Sequence, residues 1–399
     1  MCDCAKGNTG ATQAGTLCLI LGTLAFAGGC ATAPLGAART DFYRGDFANA
    51  EVALSTNTAG ETDSVLLLME RGMIRQQRGE YDASIKDWLE AAALAENLDY
   101  YSLTKGTASF AVNDQVLAFR GAPYERTLLH AFAAKSYLAL GLWDDAAVEA
   151  RRIILRLENL YEFPDDAYSH YLAGFCLEMA NDPEGAAFQY RFINTMAPGL
   201  TVGEYDGRIA VGNTNAPNPL TASPGWERKP RDKNAAELVC FVSLGRVPTL
   251  SRHAGAGGTP AGAPYAEIYD NDVYLGRTYP FTHTGRLLVE TQKRLAALKA
   301  LKTATRVAAK AAVADAVSQK NQLLGEILRL ILFALEAPDT RQWETLPEWL
   351  EIGRMTCPAN LKRYRAVFKD GAGRTLGETV VEAPLSRRDN TFVSFCRRL

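Results

Sequence analysis

A short phrase of residues recurs four times in the first half of the chain, starting at Gly45, Gly79, Gly141 and Asn181. In each copy the third residue is aromatic or proline and the sixth is small. The first two copies start 34 residues apart, and a fixed period of this length is typical of stacked helical hairpins. Each hairpin of such an array buries its apolar face only against its neighbours. The recurrence therefore predicts a short helical array.

The residues around each phrase fit two antiparallel helices joined by a tight turn. Small residues such as Gly72 and Gly174 lie where the helices must approach, and large ones such as Trp88 and Tyr190 fill the opposite hole. A glycine between the helices adopts the positive φ that ends a helix. The period and this pattern match the tetratricopeptide repeat. We expect an α-helical, tetratricopeptide-like solenoid over residues 38–200.

The repeat is interrupted by an insert at about residues 97–124, between the second and third copies. Insertions in solenoids lie on one surface, which is often the binding surface. The aromatic and basic side chains of this region are therefore candidate partner-binding residues: Tyr100, Tyr101, Phe119, Arg120, Tyr124 and Arg126. An equally good interpretation is that these side chains fill an apolar gap between repeats.

The chain begins with an apolar segment that is too short to cross a membrane. Residues 15–29 are apolar or small and end in two glycines before Cys30. This arrangement resembles that of processed bacterial lipoproteins, in which the cysteine at the cleavage site receives lipid chains. We therefore expect a signal peptide over residues 1–29, palmitate or a similar acyl chain on Cys30, and a lipidated tether over residues 30–37.

Several acyl chains on one residue make membrane attachment effectively permanent. Ala31 follows Cys30, and lipoproteins of bacteria with two membranes that lack Asp at this position are commonly passed to the outer membrane. The expected location is the outer membrane, facing the periplasm. The alternative is a plain secretory signal in which the cysteine occurs by chance.

A second domain is expected after a linker. Residues 201–234 are rich in Gly, Pro, Asn and Asp, which predicts a linker or extended crossing segment. Residues 235–399 then read as a smaller α+β domain, with a long amphipathic helix over 286–317 and turn signals at Asn271-Asp272 and Asp370-Gly371. We expect an antiparallel sheet with long helices on one side, its strands lying near residues 236–245, 265–275, 350–356, 363–368, 379–382 and 391–396.

The stretch 322–337 is the most apolar part of this second region. At about 16 residues it is too short to span a bilayer. A buried core helix is the first interpretation. The second is contact with a membrane-associated oligomeric assembly.

Composition and motifs argue against nucleic-acid binding and against catalysis. The net charge of −2 gives nucleic acid little to bind, and 47% apolar residues are enough for two cores. The sequence contains no Gly-x-Ser-x-Gly, His-Glu-x-x-His or glycine-rich phosphate loop. We therefore expect no catalytic residues and no cofactor. An envelope hydrolase with an unrecognised site in the C-terminal domain is the alternative.

Histidines and cysteines give weak signals. His130 and His170 occupy equivalent places in two repeats, which suggests either a metal pair or, as we expect, one packed histidine per repeat. We expect Cys176 to be a buried residue of a helix. Cys357 and Cys396 are a possible disulfide in an oxidising periplasm.

Three stretches carry a family resemblance: Tyr124-Glu125-Arg126 with His130, residues 138–152, and the run Asp339-Thr340-Arg341-Gln342-Trp343 with Leu346-Pro347. Together they resemble a bacterial lipoprotein family that combines tetratricopeptide-like repeats with a C-terminal domain of unknown function. The resemblance implies an outer-membrane, non-catalytic role with protein partners. From the residues themselves, Asp339 and Arg341 can brace a helix-to-strand turn with Trp343 packed on the sheet, or the three can form an exposed docking point.

The expected function is thus a lipid-anchored envelope scaffold that binds another protein through the groove of its helical repeats. The membrane and an envelope protein are the expected partners. The sequence leaves the oligomeric state open.

Overall fold

The protein folds as a helical array followed by a two-stranded β-hairpin and two larger β-sheets. The computed structural model describes residues 33–55, 61–104, 118–160, 162–196, 199–211, 235–249, 262–297, 340–382 and 386–399. Cys30, Asp339, the side chains of Tyr100 and Tyr101, and the apolar stretch 322–337 lie outside these described residues.

Eight helices in the first half of the described chain pair as four hairpins, which confirms the predicted helical array. Their bounds are α1 Ala33–Tyr43 with α2 Phe47–Ser55, α3 Ser64–Gln77 with α4 Tyr81–Thr104, α5 Pro123–Ala139 with α6 Trp143–Glu158, and α7 Ala167–Met179 with α8 Pro183–Met196.

Two boundaries differ from the sequence prediction. Helix α1 begins at Ala33, inside the expected tether, because Leu35 is buried against the array. Helix α4 runs on to Thr104, inside the expected insert. Both helices are therefore longer than the repeat pattern alone predicts.

The turn inside each hairpin has the predicted backbone conformation. Gly45, Gly79 and Gly141 have φ values of 80°, 78° and 72°, and Asn181, which replaces the glycine in the fourth copy, has 62°. In each turn the next residue's amide also bonds back to the helix, as Glu80 does to the carbonyl of Arg75 at 2.9 Å. This is the usual helix ending around a left-handed residue, so one short phrase sets the geometry of four hairpins.

Close helix packing explains the small residues of the first helices. A Cβ at Gly72 would collide with the indole of Trp88, and one at Gly174 would lie 2.8 Å from Cε1 of Tyr190. Both aromatic side chains are buried. The predicted pairing of a small residue on one helix with a large one on the next is confirmed at both places.

The second half of the chain forms strands and one described helix. The strands are β1 Leu200–Val202, β2 Ile209–Val211, β3 Ala235–Leu244, β4 Tyr265–Asp270, β5 Val273–Arg277, β6 Tyr279–His283, β7 Trp349–Pro358, β8 Arg363–Lys369, β9 Thr375–Glu382, β10 Ser386–Arg388 and β11 Thr391–Arg398. Helix α9 spans residues 284–297, and the rest of the expected long helix lies outside the described residues.

These strands make three sheets. Strands β1 and β2 form a hairpin, five strands follow the order β10-β11-β3-β7-β6, and four follow the order β5-β4-β8-β9. The expected single antiparallel sheet is wrong, because β11 runs parallel to β3, from Thr391 beside Glu237 to Arg398 beside Leu244. Two strands joined by a tight hairpin must be antiparallel, whereas strands far apart in sequence can pair in either direction.

Strand β3 is buried on both faces, which explains its nearly continuous apolar sequence. On one face Phe241 packs edge-on against Phe175 of α7, with ring centroids 5.6 Å apart. On the other face Cys240 belongs to a second apolar cluster with Ile268 of β4 and Phe368 of β8. The molecule therefore has three layers: the helical array, the five-stranded sheet and the four-stranded sheet.

The expected linker contains ordered structure at its start. The β1–β2 hairpin is tied to α8 by Asn194, whose side chain bonds both the amide and the carbonyl of Val202 at 2.7 and 3.0 Å. The hydroxyl of Tyr171 donates to the carbonyl of Gly207 at 2.7 Å. Residues 201–211 thus pack on the helical array rather than acting as a free linker. Among the described helices, none is both long and apolar enough to traverse a bilayer.

Candidate functional site

The first helices of the hairpins (α1, α3, α5 and α7) form one face of the array, here called the inner face. Residues 340–348, here called the crossing segment, lie on it and hold most of the motif that carries the family resemblance. Trp343 is fully buried, and its ring meets that of Phe132 on α5 at 5.7 Å. Its indole N–H donates to Oγ1 of Thr345 at 2.9 Å. Trp343 therefore packs on the helical array, and the expectation that it packs on the sheet is corrected.

Two buried carboxylates of the inner face accept the backbone amides of the crossing segment. Glu125 on α5 accepts the amide of Trp343 at 2.7 Å. Glu70 on α3 accepts the amides of Glu344 and Thr345 at 3.0 and 3.2 Å. A carboxylate accepting backbone N–H groups makes strong, charge-assisted bonds. The inner face thus binds an extended stretch of its own chain.

Arginines complete the attachment at the end of the array near α1. Arg39 bonds Glu70 at 2.7 Å, Glu344 at 2.8 Å and the carbonyl of Gln342 at 2.8 Å. It therefore joins helices α1 and α3 to the crossing segment in one network.

Arg341 bonds the residues that precede α3. Its guanidinium donates to Asp63 Oδ1 at 2.8 Å and lies 5.7 Å from the ring of Phe119. The amide of Phe119 donates to the carbonyl of Thr62 at 2.7 Å. The end of the insert and the crossing segment therefore meet at one place, and nothing in the sequence predicted this contact.

The four partner-binding candidates whose side chains the structure describes do not form one exposed surface. Phe119 and Tyr124 are buried in the main apolar cluster, so the interpretation that they fill a gap between repeats holds for these two. Arg120 and Arg126 are half-buried. Phe119 and Tyr124 therefore support the packing of the array rather than an open recognition surface.

The environment of Glu125 is unusual for a carboxyl group. Burial raises its pKa to about 7, although the amide bonds from Trp343 and Ala122 act in the opposite direction. Glu125 also caps its own helix, because it accepts the amide of Ala122 at 2.7 Å. It therefore joins the start of α5 to the crossing segment.

A second polar cluster attaches α7 to the five-stranded sheet. The guanidinium of Arg354 on β7 is fully buried and bonds Glu178 of α7 through two contacts at 2.8 Å. It also bonds Glu237 of β3 at 2.7 Å. Removing one member of such a buried network leaves an uncompensated charge, so the cluster fixes the helices against the sheet.

Sequence reasoning missed these inner-face carboxylates. Glu70, Glu125 and Glu178 each lie among buried residues of a first helix. An acidic residue among the apolar residues of an otherwise buried helix is the signal that was present. Buried charges require partners, so this pattern predicts that something polar covers the helix.

The outward face of the second helices carries exposed apolar side chains instead. Val148 and Leu155 lie seven residues apart on α6, and Leu155 is 59% exposed. Phe188 and Phe192 lie four residues apart on α8, with rings 5.1 Å apart, and Phe188 is 49% exposed. Both spacings put the two residues of a pair on the same side of their helix.

Both histidines pack between the two helices of a hairpin, as expected. Nδ1 of His130 lies 2.8 Å from Oε2 of Glu149, and Nδ1 of His170 lies 2.7 Å from Oε1 of Gln189. The ring of His170 also stacks on Phe192. Among the described residues, no group of three or more metal-ligating side chains could hold an ion.

The proposed disulfide is wrong. Cys357 pairs with Ala236 and Cys396 with Val242, so they lie six residues apart along β3, or about 20 Å. A disulfide requires Cα atoms within about 7 Å. All four described cysteines are free and buried, including Cys176 as predicted, and burial raises the pKa of the Cys357 and Cys396 thiols to about 12.

A cleft of about 380 Å³ lies where the ends of the two larger sheets meet. Its apolar lining includes Trp349, Phe368 and Leu376, and its charged groups include Asp370 and Arg374, which bond each other at 2.7 Å. Glu348 and Arg398 add one further charge of each sign, and most of the exposed lining is apolar, so the cleft presents mainly an apolar surface.

No family model matches the chain, and no curated protein is significantly similar to it. Among solved structures, the Rap conjugation gene regulator of plasmid pLS20, in complex with a peptide, matches with 13% identity and a TM-score of 0.28, over 48% of this chain and 47% of that chain. The chain thus spans about half the length of that regulator. MamA MSR-1 C2 matches with 12% identity and a TM-score of 0.17, over 40% of this chain and 92% of that chain. Neither similarity is close enough to carry an argument about function.

The described structure nevertheless defines a class. This is a helical-repeat protein whose inner face and C-terminal sheet share one apolar cluster, and whose second helices face outward.

Proposed function

We propose that this protein is a lipid-anchored adaptor of the bacterial envelope that binds another protein through the outward faces of its second helices. The proposal moves the binding surface from the groove, where the sequence suggested it, to the opposite side of the array. The inner face already packs on the chain's own crossing segment and sheet.

The observation that carries the proposal is the exposed apolar residues on α6 and α8. Leu155 and Val148 on α6, and Phe188 on α8, are large apolar side chains in contact with solvent. An amphipathic partner helix, or a groove that accepts these helices, would bury them. Aromatic anchors such as Phe188 commonly supply much of the energy of a protein interface.

The lipid anchor rests on Cys30 and the apolar segment before it. Cells grown with labelled palmitate should yield a labelled wild-type protein that fractionates with the outer membrane. A Cys30→Ser form should be unlabelled. Label on the serine form, or wild-type protein in the soluble fraction, would remove the anchor from the proposal.

Binding should be tested in intact cells with a photocrosslinking residue at position 155 or 188. We expect both positions to crosslink to the same envelope protein. A Val148→Glu/Leu155→Glu variant should lose the crosslink from position 188 while remaining folded, because it places charge on the same surface.

The matched control is Val380→Glu on β9, which charges an equally exposed apolar residue away from the helical array. This variant should keep the crosslink. A crosslink lost equally in both variants, or one that forms only to random abundant proteins, would contradict the proposed surface.

A further inference from the structure

A small polar cavity of about 100 Å³ lies between the inner face and the five-stranded sheet. Helices α3, α4 and α5 line it from one side, with Gln76, Gln77, Tyr81 and Lys135, and strands β3 and β11 from the other, with Ser243 and residues 395–397. It has room for several water molecules or for one small oxyanion. The cavity is separate from the outward surface proposed above.

Two cationic side chains line this cavity. Lys135 is 4% exposed, and its ammonium lies 4.7 Å from the ring centroid of Phe132 and 5.4 Å from that of Phe395. It makes no hydrogen bond or ion pair with the described residues. Lysine is rarely buried without a partner, because a buried charge is costly to desolvate.

Arg397 is the second cation. Its Nη2 donates to the carbonyl of Thr345 at 2.6 Å, its side chain also interacts with the hydroxyl of Tyr43, and its guanidinium lies 4.8 Å from the ring of Phe42. Its buried Nε and Nη1 have no hydrogen-bond partner among the described residues. Three N–H groups of Arg397, one on Nε and two on Nη1, therefore lack an acceptor among the described residues, beside the ammonium of Lys135 at the same cavity.

Nearby carboxylates do not supply the missing charge. Glu70 is the carboxylate that acts on Arg397, but it already bonds Arg39 and two backbone amides. The Arg354 cluster shows the contrast, since it has one cation and two carboxylates. Burial, reinforced by Arg397, lowers the pKa of Lys135 to about 7.

We propose that Lys135 and Arg397 bind a small oxyanion, phosphate or carboxylate, in this cavity. Charge-assisted bonds from the ammonium and the guanidinium would satisfy the donors and balance the charge. Ser243 and Tyr81 supply hydroxyl groups at the same cavity. A bound anion would join helices α3 and α5 to strand β11 and thereby stabilise the contact between the array and the sheet.

The test is direct binding of inorganic phosphate to the purified protein by equilibrium dialysis, with acetate as a second probe and chloride as background. We expect saturable binding of one phosphate per chain. Lys135→Met should weaken it by at least about tenfold, because it removes a charge-assisted hydrogen bond to the anion. Lys362→Met, which removes an exposed charge, should leave it unchanged.

Lys135→Met replaces a buried ammonium by an apolar group of similar length, so circular dichroism should show a folded variant. Arg397→Gln is the second variant, and it should weaken phosphate binding independently. Absence of saturable binding to the wild type, or equal binding by wild type and both variants, would overturn the proposal.

Glycerol 3-phosphate distinguishes the source of the phosphate group. Binding as tight as that of inorganic phosphate would assign the cavity to a phosphate carried on a larger molecule such as a lipid headgroup. Exclusion of glycerol 3-phosphate would assign it to the free ion.

Discussion

The two faces of the helical array differ in what covers them: one is buried by the rest of the protein and the other is exposed to solvent. The inner face is buried against the protein's own sheet and crossing segment, with carboxylates such as Glu70 and Glu178 satisfied by backbone amides or arginine. The outward face presents Leu155 and Phe188 to solvent. Helical repeats offer extended surfaces for partners. Here one of those surfaces has become part of the core, and the other stays exposed, which is where we propose that a partner binds.

Removing the sheets should have the largest effect on the inner face. A chain ending after residue 211 would expose Tyr168, Phe175 and Phe132, which are buried on the inner face. We expect loss of cooperative unfolding and aggregation, measured by circular dichroism against temperature and by gel filtration. A monomeric array that unfolds cooperatively without the sheets would show that the inner face does not depend on them.

Removing Arg354 should have the next largest effect. Arg354→Ala leaves Glu178 and Glu237 buried without their cation, which costs about 3–5 kcal/mol in the free energy of unfolding. Urea denaturation measures this loss. Arg363→Ala, on the exposed side of β8, should change stability by less than about 0.5 kcal/mol. Equal effects of the two changes would contradict the structural role of the buried cluster.

Trp343 tests the crossing segment itself. Trp343→Ala removes a fully buried ring that packs on Phe132, and we expect a loss of about 3–5 kcal/mol. Hydrogen exchange should show faster opening in α3 and α5 than in α8, because the segment binds the first two through Glu70 and Glu125. Uniform acceleration across all helices would mean that the effect is not local to the inner face.

Glu351 differs from the buried carboxylates that bond arginines or backbone amides, because it accepts a hydrogen bond only from the hydroxyl of Thr278 among the described residues. Burial raises the pKa of Glu351 to about 8, although the Thr278 hydroxyl and Arg277 act in the opposite direction. Between about pH 5 and 8 the folded protein therefore holds a proton that the unfolded chain has released, and stability falls as pH rises.

The Glu351→Gln variant has no carboxyl group at this position, so its stability should not fall with pH in this way. The free energy of unfolding of the variant minus that of the wild type should increase by about 2–4 kcal/mol from pH 5 to pH 9. Urea denaturation at both pH values measures this difference. A constant difference between the two proteins across this range would show that Glu351 titrates normally.

Substitutions on the outward face should have the smallest effect on stability. Leu155→Ser changes a 59% exposed side chain, so we expect a stability change within about 0.5 kcal/mol. Thermal unfolding measures this change. A loss of several kcal/mol would mean that the residue packs against something in the folded protein, and the outward surface would then be part of the core as well.

Local features of this fold could be predicted from the sequence because each is encoded by a few neighbouring residues. Gly79 with the phrase after it predicted a helix turn, and the structure has one there. The apolar run 236–245 predicted a strand, which is β3. The Asp370-Gly371 signal predicted the turn between β8 and β9. In each case the signal and its consequence lie within about ten residues.

Other features depended on residues distant in the chain and were missed or wrong. The direction of β11 beside β3 is set by a pairing between residues about 150 positions apart. The cysteine pairing failed for the same reason, because Cys357 and Cys396 lie on two different neighbours of β3. Spacing along the sequence carries no information about distance across a sheet.

By itself the sequence determined the helical hairpins, their turns and the apolar strand, since periodicity and turn chemistry act over short distances. The tertiary structure alone decided which face of the array is covered. That choice depends on Glu70, Glu125 and Glu178 meeting the amides and the arginine of a segment more than a hundred residues away. Buried charges find partners only in three dimensions, and for this reason the repeat pattern could predict a groove but not what fills it.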